Sequence, residues 1–312
     1  MAIPYHLGSI WPWRAEQSVE LTRRIIATDQ ADTYYPWAVA VQRSLRSHHL
    51  PFWNPNNFAG TPLWTNGQPS PLYPFRFLTS FFIDPSLQHD IFIIFHLVLA
   101  GFGMYFLCKS LGFNAIACLA GGLFWMFSPL GFAWMQFEFF LPLLAYLPWI
   151  FLLVKNLTVY LKTLEEKSSF KFLVNNLSTF FWLCFIQTML ILGSNIQFAL
   201  LGIAPAYIYL LIAIFNAKNQ SYNRIEITKS IFFSIKVFSY TSILTLCISA
   251  TTWLPILVFS SKTSRAVFSY SQFVDNARTV KFESFWKNTS THLPYPYIIE
   301  HLGQMTFVGL FA

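Results

Sequence analysis

The stretch Ile91-Phe92-Ile93-Ile94-Phe95-His96-Leu97-Val98-Leu99-Ala100-Gly101-Phe102-Gly103-Met104-Tyr105-Phe106-Leu107 carries no charged side chain. A run this apolar, close to the ~20 residues that cross a hydrocarbon core, reads as a membrane span. Similar runs follow near 115–129, 139–155, 172–192, 197–215 and 232–258. In lipid each such segment must satisfy its own backbone polar groups, so each is expected as a helix. The composition agrees: 55% of 312 residues are hydrophobic, 19% aromatic and only 11% charged. Soluble domains carry roughly a quarter charged residues. The expected fold is an all-α integral membrane protein with about six transmembrane helices behind a large N-terminal loop.

Four regions follow from this reading: an extracytoplasmic loop at 1–90, a six-helix membrane region at 91–258, an extracytoplasmic segment at 259–300, and the start of a further span at 301–312. Connector charges orient the bundle. Lys109 lies between the first two runs, Lys155, Lys162, Lys167 and Lys171 flank the connector after the third, and Lys218, Arg224, Lys229 and Lys236 the connector after the fifth. Under six alternating crossings these connectors share one side, which the positive-inside rule makes cytoplasmic. The formal charge of +7 forms no basic stripe interleaved with aromatics, so nucleic acid is not an expected partner; the lipid bilayer is. The protein is placed in the cell membrane as a multi-pass chain. A seventh run begins near Leu302, and no span precedes the first loop, so a longer parent protein is expected.

The front region holds six arginines, no lysine, and turn signals at Trp53-Asn54-Pro55-Asn56-Asn57, Ala59-Gly60-Thr61-Pro62 and Asn66-Gly67-Gln68-Pro69. One short helix is expected from Pro36. Trp37, Val41 and Leu45 line one face and Arg43 and Arg46 another, an amphipathic pattern able to lie on a bilayer. Before it stand Asp29 and Asp32, which suit a general base with its neighbour, a divalent-ion site, or simple capping of the helix.

On the expected outer face, Glu138 sits beside Gln136 among aromatics, where a carboxylate is expensive unless paired or solvated. Asn195 and Gln197 fall in the turn between the fourth and fifth runs, placed for hydroxyl-rich ligands or for gluing helices. Arg265 follows the sixth run, near enough to the membrane to meet a lipid phosphate or to anchor at the interface. His48 and His49 diverge by ~100° on a helix and make a poor metal pair. Cys108, Cys118, Cys184 and Cys247 show no metal or redox spacing. No P-loop, dinucleotide fingerprint, HExxH or GxSxG occurs, which removes the common nucleotide and hydrolase readings as far as motifs can.

The order of short motifs from Thr28 to Pro74 is more specific. It runs Asp29, Tyr35-Pro36, Leu50-Pro51-Phe52-Trp53-Asn54-Pro55, Phe58-Ala59-Gly60-Thr61-Pro62, Asn66-Gly67-Gln68 and Tyr73-Pro74. This resembles the first outer loop of bacterial YfhO-type membrane proteins, with Ala59 in place of the usual Gly. Leu147-Pro148-Trp149, Gly193-Ser194-Asn195-Ile196-Gln197 and Trp253-Leu254-Pro255 with Ser264-Arg265 resemble later family segments, though the usual His and Pro of the Gly-x-x-Gln turn are absent.

The resemblance implies membership of the C-type (GT-C) glycosyltransferases. These transfer a sugar from a polyprenyl-phosphate donor to a cell-envelope polymer acceptor on the extracytoplasmic side. It implies Asp29 as the acid-base residue, with Asp32 beside it; a divalent metal stays open. Arg265 is then expected against the leaving phosphate, and Glu138, Gln136, Asn195 and Gln197 around the acceptor. Trp53, Asn54, Asn66 and Gln68 belong to the same substrate-binding loop. A transporter or flippase of lipid-linked sugars is the rival, and needs ionisable residues inside the spans. A non-catalytic membrane scaffold is the third reading.

The topology generates a test. With the native cysteines removed, a single cysteine at position 70 is expected to react in intact cells with an impermeant thiol reagent, and one at position 169 is not. The reverse pattern overturns the orientation.

Overall fold

The computed structural model describes residues 33–57, 60–134, 137–161, 177–218, 236 and 238–260. Among these the chain is mostly helical. The front segment contains α1 (Tyr35–Arg46), a hairpin of β1 (Trp53–Asn54) and β2 (Thr61–Pro62), a 3-10 turn (Trp64–Asn66) and α2 (Pro74–Phe82). The hairpin is antiparallel, pairing Trp53 with Pro62 and Asn54 with Thr61. Then come α3 (Pro85–Ser110), α4 (Ala115–Met126), α5 (Pro129–Trp134), α6 (Leu141–Leu161), α7 (Leu177–Gly193), α8 (Ile196–Lys218), α9 (Phe238–Ile248) and α10 (Ala250–Ser260).

Two of these, α3 and α8 over Ile196–Ala213, are long and apolar enough to cross a membrane. The pair α9 and α10 makes a third if it counts as one span, and α4, α6 (over Leu141–Leu157) and α7 are shorter apolar helices. α6 is the hub, packing against α3, α7 and α8. Its buried side chains Leu144, Ala145, Ile150 and Val154 lie at the centre of the main apolar core.

Proline sets where the bundle needs help. A helical proline leaves the carbonyl four residues earlier without its donor. Pro148 does this to Leu144, and the Trp125 indole on α4 donates to that oxygen at 3.0 Å. Pro255 does it to Thr251, and the Trp64 indole donates there at 2.7 Å. The same contact lays the front segment on α10, where Gly67, at φ 75°, has no room for a Cβ beside Ile256.

The run 232–258 is not the single straight span expected from its apolarity. α9 and α10 meet at a bend of 74°. At the bend Ser249 Oγ donates to Thr245 O at 2.7 Å, and the Trp253 indole donates to Leu246 O at 2.9 Å. The Ser249 N–H also reaches Thr245 O, at 2.9 Å, so its hydroxyl adds a second donor to that carbonyl, as side-chain back-bonding does where helices bend.

α1 also departs from the expectation of a surface helix lying on the bilayer. Val41 and Leu45 are buried against Leu63, with Trp37 and Phe77 beside them. Gln42 donates to the carbonyls of Ser80 (3.0 Å) and Ile83 (2.7 Å) at the end of α2. The amphipathic face is therefore covered by protein. Position 70 is buried in the folded chain, so exposed Asn56 is the better outer reporter for the thiol labelling.

α3 and α4 approach closely through glycine, as small residues permit in apolar surroundings. A Cβ on Gly122 would stand 2.8 Å from the backbone oxygen of Gly101. Gly122→Ala is expected to destabilise the protein by about 1–3 kcal/mol through forced separation of the two helices. Thermal unfolding in detergent measures this, and an unchanged midpoint contradicts the packing.

Candidate functional site

A buried ionic cluster joins the front segment to the helix bundle. Arg76, on α2, is 2% exposed and Glu138, in the turn before α6, is 3% exposed. An Arg76 Nη2 hydrogen donates to Glu138 Oε2, and His89 Nδ1 stands 2.6 Å from Glu138 Oε1. The Arg76 guanidinium also lies 4.8 Å from the centroid of Phe92. Burial alone would raise the Glu138 carboxyl, but the Arg76 charge and the His89 contact outweigh it and hold the group below its ordinary value of 4.5.

Each member is placed by local structure. Pro74 starts α2, presetting φ for a first turn. Asp84 caps α3, accepting from the backbone N–H of Ser86 at 2.9 Å and its hydroxyl at 2.6 Å; those hydrogen bonds lower its carboxyl pKa. This cap begins α3 before residue 91, so His89 and Asp90 ride on its first turns. Gln88, on the same helix, donates to Thr79 Oγ1 (2.8 Å) and Ser80 Oγ (3.0 Å), fixing α2 against α3.

A second polar chain lies beside the first. Tyr73 OH is 2.9 Å from His96 Nε2 and 2.6 Å from Tyr146 OH, and His96 Nδ1 is 2.7 Å from Phe92 O. Next to it opens a cleft of about 640 Å³ between α2, α3, α6 and α7, walled chiefly by aromatic and aliphatic side chains.

The expected site residues divide into three groups. Asp29, Asp32, Gln136 and Arg265 lie outside the described residues. Glu138 is enclosed by Arg76 and His89, so its first contacts are with protein. Its connector does meet the turn carrying Asn195: Ser194 Oγ donates to Phe139 O at 2.6 Å, and Gly193 packs beside Tyr73 and Pro142. Asn195 Oδ1 accepts from the Gln197 N–H at 3.3 Å at the start of α8, and the Gln197 side chain is exposed.

In the front segment Asn54 is buried and its Oδ1 accepts from the Asn56 N–H at 3.1 Å, a turn-stabilising role. Trp53 is half exposed across the hairpin, and Asn66 is exposed. Gln68 is partly buried. Lys155 donates to the Ser110 carbonyl, so it meets the C-terminal end of α3, opposite the Arg76–Glu138–His89 cluster. Among the described residues no group of three His, Cys, Asp or Glu side chains is arranged to hold a metal.

Compared with family models, with curated proteins and with solved structures, the chain matches none.

Arg76 and His89 were not singled out from sequence. The available signal was electrostatic: a lone Arg in the apolar run Phe75–Phe82 and a His at the head of a span are the natural counterparts for an acid among phenylalanines. Removing Arg76 strands a buried carboxylate, so Arg76→Met is expected to cost about 3–5 kcal/mol, with Arg76→Met/Glu138→Met recovering much of it. Additive losses in that cycle contradict the pairing. Because the folded-state carboxyl is depressed, its contribution is present above its ordinary value of 4.5 and is lost as pH falls through the lower folded value. Unfolding measured against pH is expected to show this acid decline in the native chain and a flatter one in Glu138→Gln.

Proposed function

We propose that the chain is part of a membrane glycosyltransferase of the GT-C type, acting on the extracytoplasmic side. Its sugar comes from a polyprenyl-phosphate donor and passes to an envelope polymer. The reading rests on the ordered motifs between Thr28 and Pro74. One structural observation supports it best: the Arg76–Glu138 pair roots that motif-bearing segment at the end of the bundle where the turn 193–197 also lies. A front loop that supplies chemistry needs such a rigid seat, since small displacements of reacting groups are costly in rate.

In this proposal the six apolar runs cross the membrane, with Lys109 and Lys155 at the cytoplasmic end and the Arg76–Glu138–His89 cluster at the outer end. The Asp29 carboxylate removes the proton from the acceptor hydroxyl as its oxygen attacks the anomeric carbon. The bond from that carbon to the phosphate oxygen breaks, and the lipid phosphate leaves with the electron pair. Arg265 offsets the charge developing there. Glu138 serves as a positioning residue that holds Arg76 and His89, and Asn195, Gln197 and the Trp53 loop border the acceptor.

The transporter reading asks for ionisable side chains within the spans. His96 is such a residue, but the Tyr73 hydroxyl and Phe92 carbonyl occupy both of its ring nitrogens. It therefore favours the static role over a carrier role.

Asp29→Asn preserves size and removes the basic oxygen. Loss of a positioned base typically costs 10²–10⁴-fold, whereas a lost cap costs about 1 kcal/mol of stability. In the full-length protein, with glycosylation of envelope polymer as readout, Asp29→Asn is expected to lose transfer and Asp32→Asn to be mild. Near-normal transfer by a folded Asp29→Asn protein defeats the assignment. Equal collapse of both points to a paired-carboxylate or metal site.

A further inference from the structure

α2 is amphipathic in the reverse sense to a helix on a water-facing loop. Its polar side chains Arg76 and Ser80 are buried, while Leu78, Phe81 and Phe82 point outward at 57%, 38% and 85% exposure. Those three stand at i, i+3 and i+4, on one face of the helix. A helix bordering water presents the opposite arrangement. The inward face is fixed by Arg76 on Glu138 and by Gln88 on the Thr79 and Ser80 hydroxyls, so α2 cannot roll to cover its phenylalanines without breaking those bonds.

Contacts along α2 give its level against α3. Thr79 and Ser80 meet Gln88, whereas the Phe75 ring stacks on Phe95 with centroids 4.3 Å apart and meets Phe92 edge-on at 5.8 Å. α2 therefore runs antiparallel beside the first three turns of α3. The 26 residues of α3 extend about 39 Å, more than the ~30 Å of a hydrocarbon core. Counted back from Lys109, that core ends after roughly 20 residues, near His89. Phe75, level with Phe92 and Phe95, falls inside it, and Phe82, close to the start of α3, falls at its rim.

The outward face of α2 also continues a face of α3. Leu87, Ile94 and Val98 are exposed along one stripe, and Phe95, packed on Phe75, is itself exposed between that stripe and α2. At the Phe82 end stand Arg43 and Arg46, exposed in the last turn of α1, which Gln42 ties to the Ser80 and Ile83 carbonyls. The exposed Asp84 is within reach of the Arg46 charge.

We propose that α2 is set into the membrane leaflet at the His89 end of α3, with Leu78, Phe81 and Phe82 against phospholipid. Acyl chains meet Leu78, the glycerol layer meets Phe82, and Arg43 and Arg46 lie at the level of the headgroup phosphates. The front segment is thus seated on lipid as well as on Glu138. This seat does not rest on glycosyl transfer; a transfer-dead protein is expected to keep it.

The test uses the full chain in phosphatidylcholine vesicles, native cysteines removed, with a nitroxide on Leu78→Cys or Phe82→Cys. Both side chains are exposed, so the label displaces no protein packing. Ile94→Cys is the lipid reference and Asn56→Cys the water reference. Oxygen, which concentrates among acyl chains, is expected to relax the labels at 78 and 82 more than a water-soluble nickel chelate does. The ratio of the two effects is expected to invert at 56. A ratio at 78 and 82 matching that at 56 overturns the proposal, as does shielding from both reagents, the mark of a protein cover. If the cysteine-free chain does not fold, the native chain decides. In vesicles whose phosphatidylcholine carries a diazirine beside the acyl carbonyl, light-induced labelling is expected on residues 77–82 and not on 52–56. No labelling on 77–82 overturns the proposal.

Discussion

Polar groups shut away from water must find partners inside the protein, and this single requirement organises the chain. Two demands of this kind stand out beside buried polar side chains such as His96 and Gln88. One is charge, at Glu138, which sits among Phe137, Phe139 and Phe140 and is almost wholly buried. The other is backbone, at carbonyls released by Pro148 and Pro255, the first partly buried and the second at the protein's own surface. An ionised carboxylate without a counter-charge would be prohibitive there, whereas an unpaired carbonyl costs a few kcal/mol. The protein answers both with side chains brought from distant sequence. Arg76 and His89 reach Glu138; Trp125 and Trp64 reach Leu144 O and Thr251 O.

These partners do more than neutralise. Each one ties two elements that hydrophobic packing alone would leave free to slide. Arg76 pins α2 to the turn before α6, and Trp64 pins the 3-10 turn to α10. A flat apolar contact between helices has little register preference, because any apolar side chain fits nearly as well as another. A donor aimed at one freed oxygen has a single solution. Proline, usually a breaker, here creates the acceptor that specifies where the neighbouring element must sit.

Much of the helical content was legible because apolarity is a strong, contiguous signal. The runs beginning at 91, 115, 139, 172 and 197 correspond to α3, α4, α6, α7 and α8, with shifted ends. The shift at α3 has a clear cause: Asp84-Pro85 is a strong helix start, and it places polar Gln88, His89 and Asp90 inside the helix. The bend at Ser249 was not legible, since Leu246, Cys247 and Ile248 before it and Ala250 after it keep the run apolar. The burial of α1 was hidden for a related reason. A moment shows that a helix has an apolar face, not whether lipid or protein covers it.

The site was legible only in part, and the limit is one of sequence distance. Glu138 stood out because an acid among aromatics violates local expectation. Its partners did not, since Arg76 lies 62 residues away and His89 49. Each alone reads as an interfacial side chain. Once the three are together, the reason for each becomes plain: Arg76 meets one oxygen of the Glu138 carboxylate and His89 the other, so a carboxylate shut in among phenylalanines is spoken for by protein on both sides.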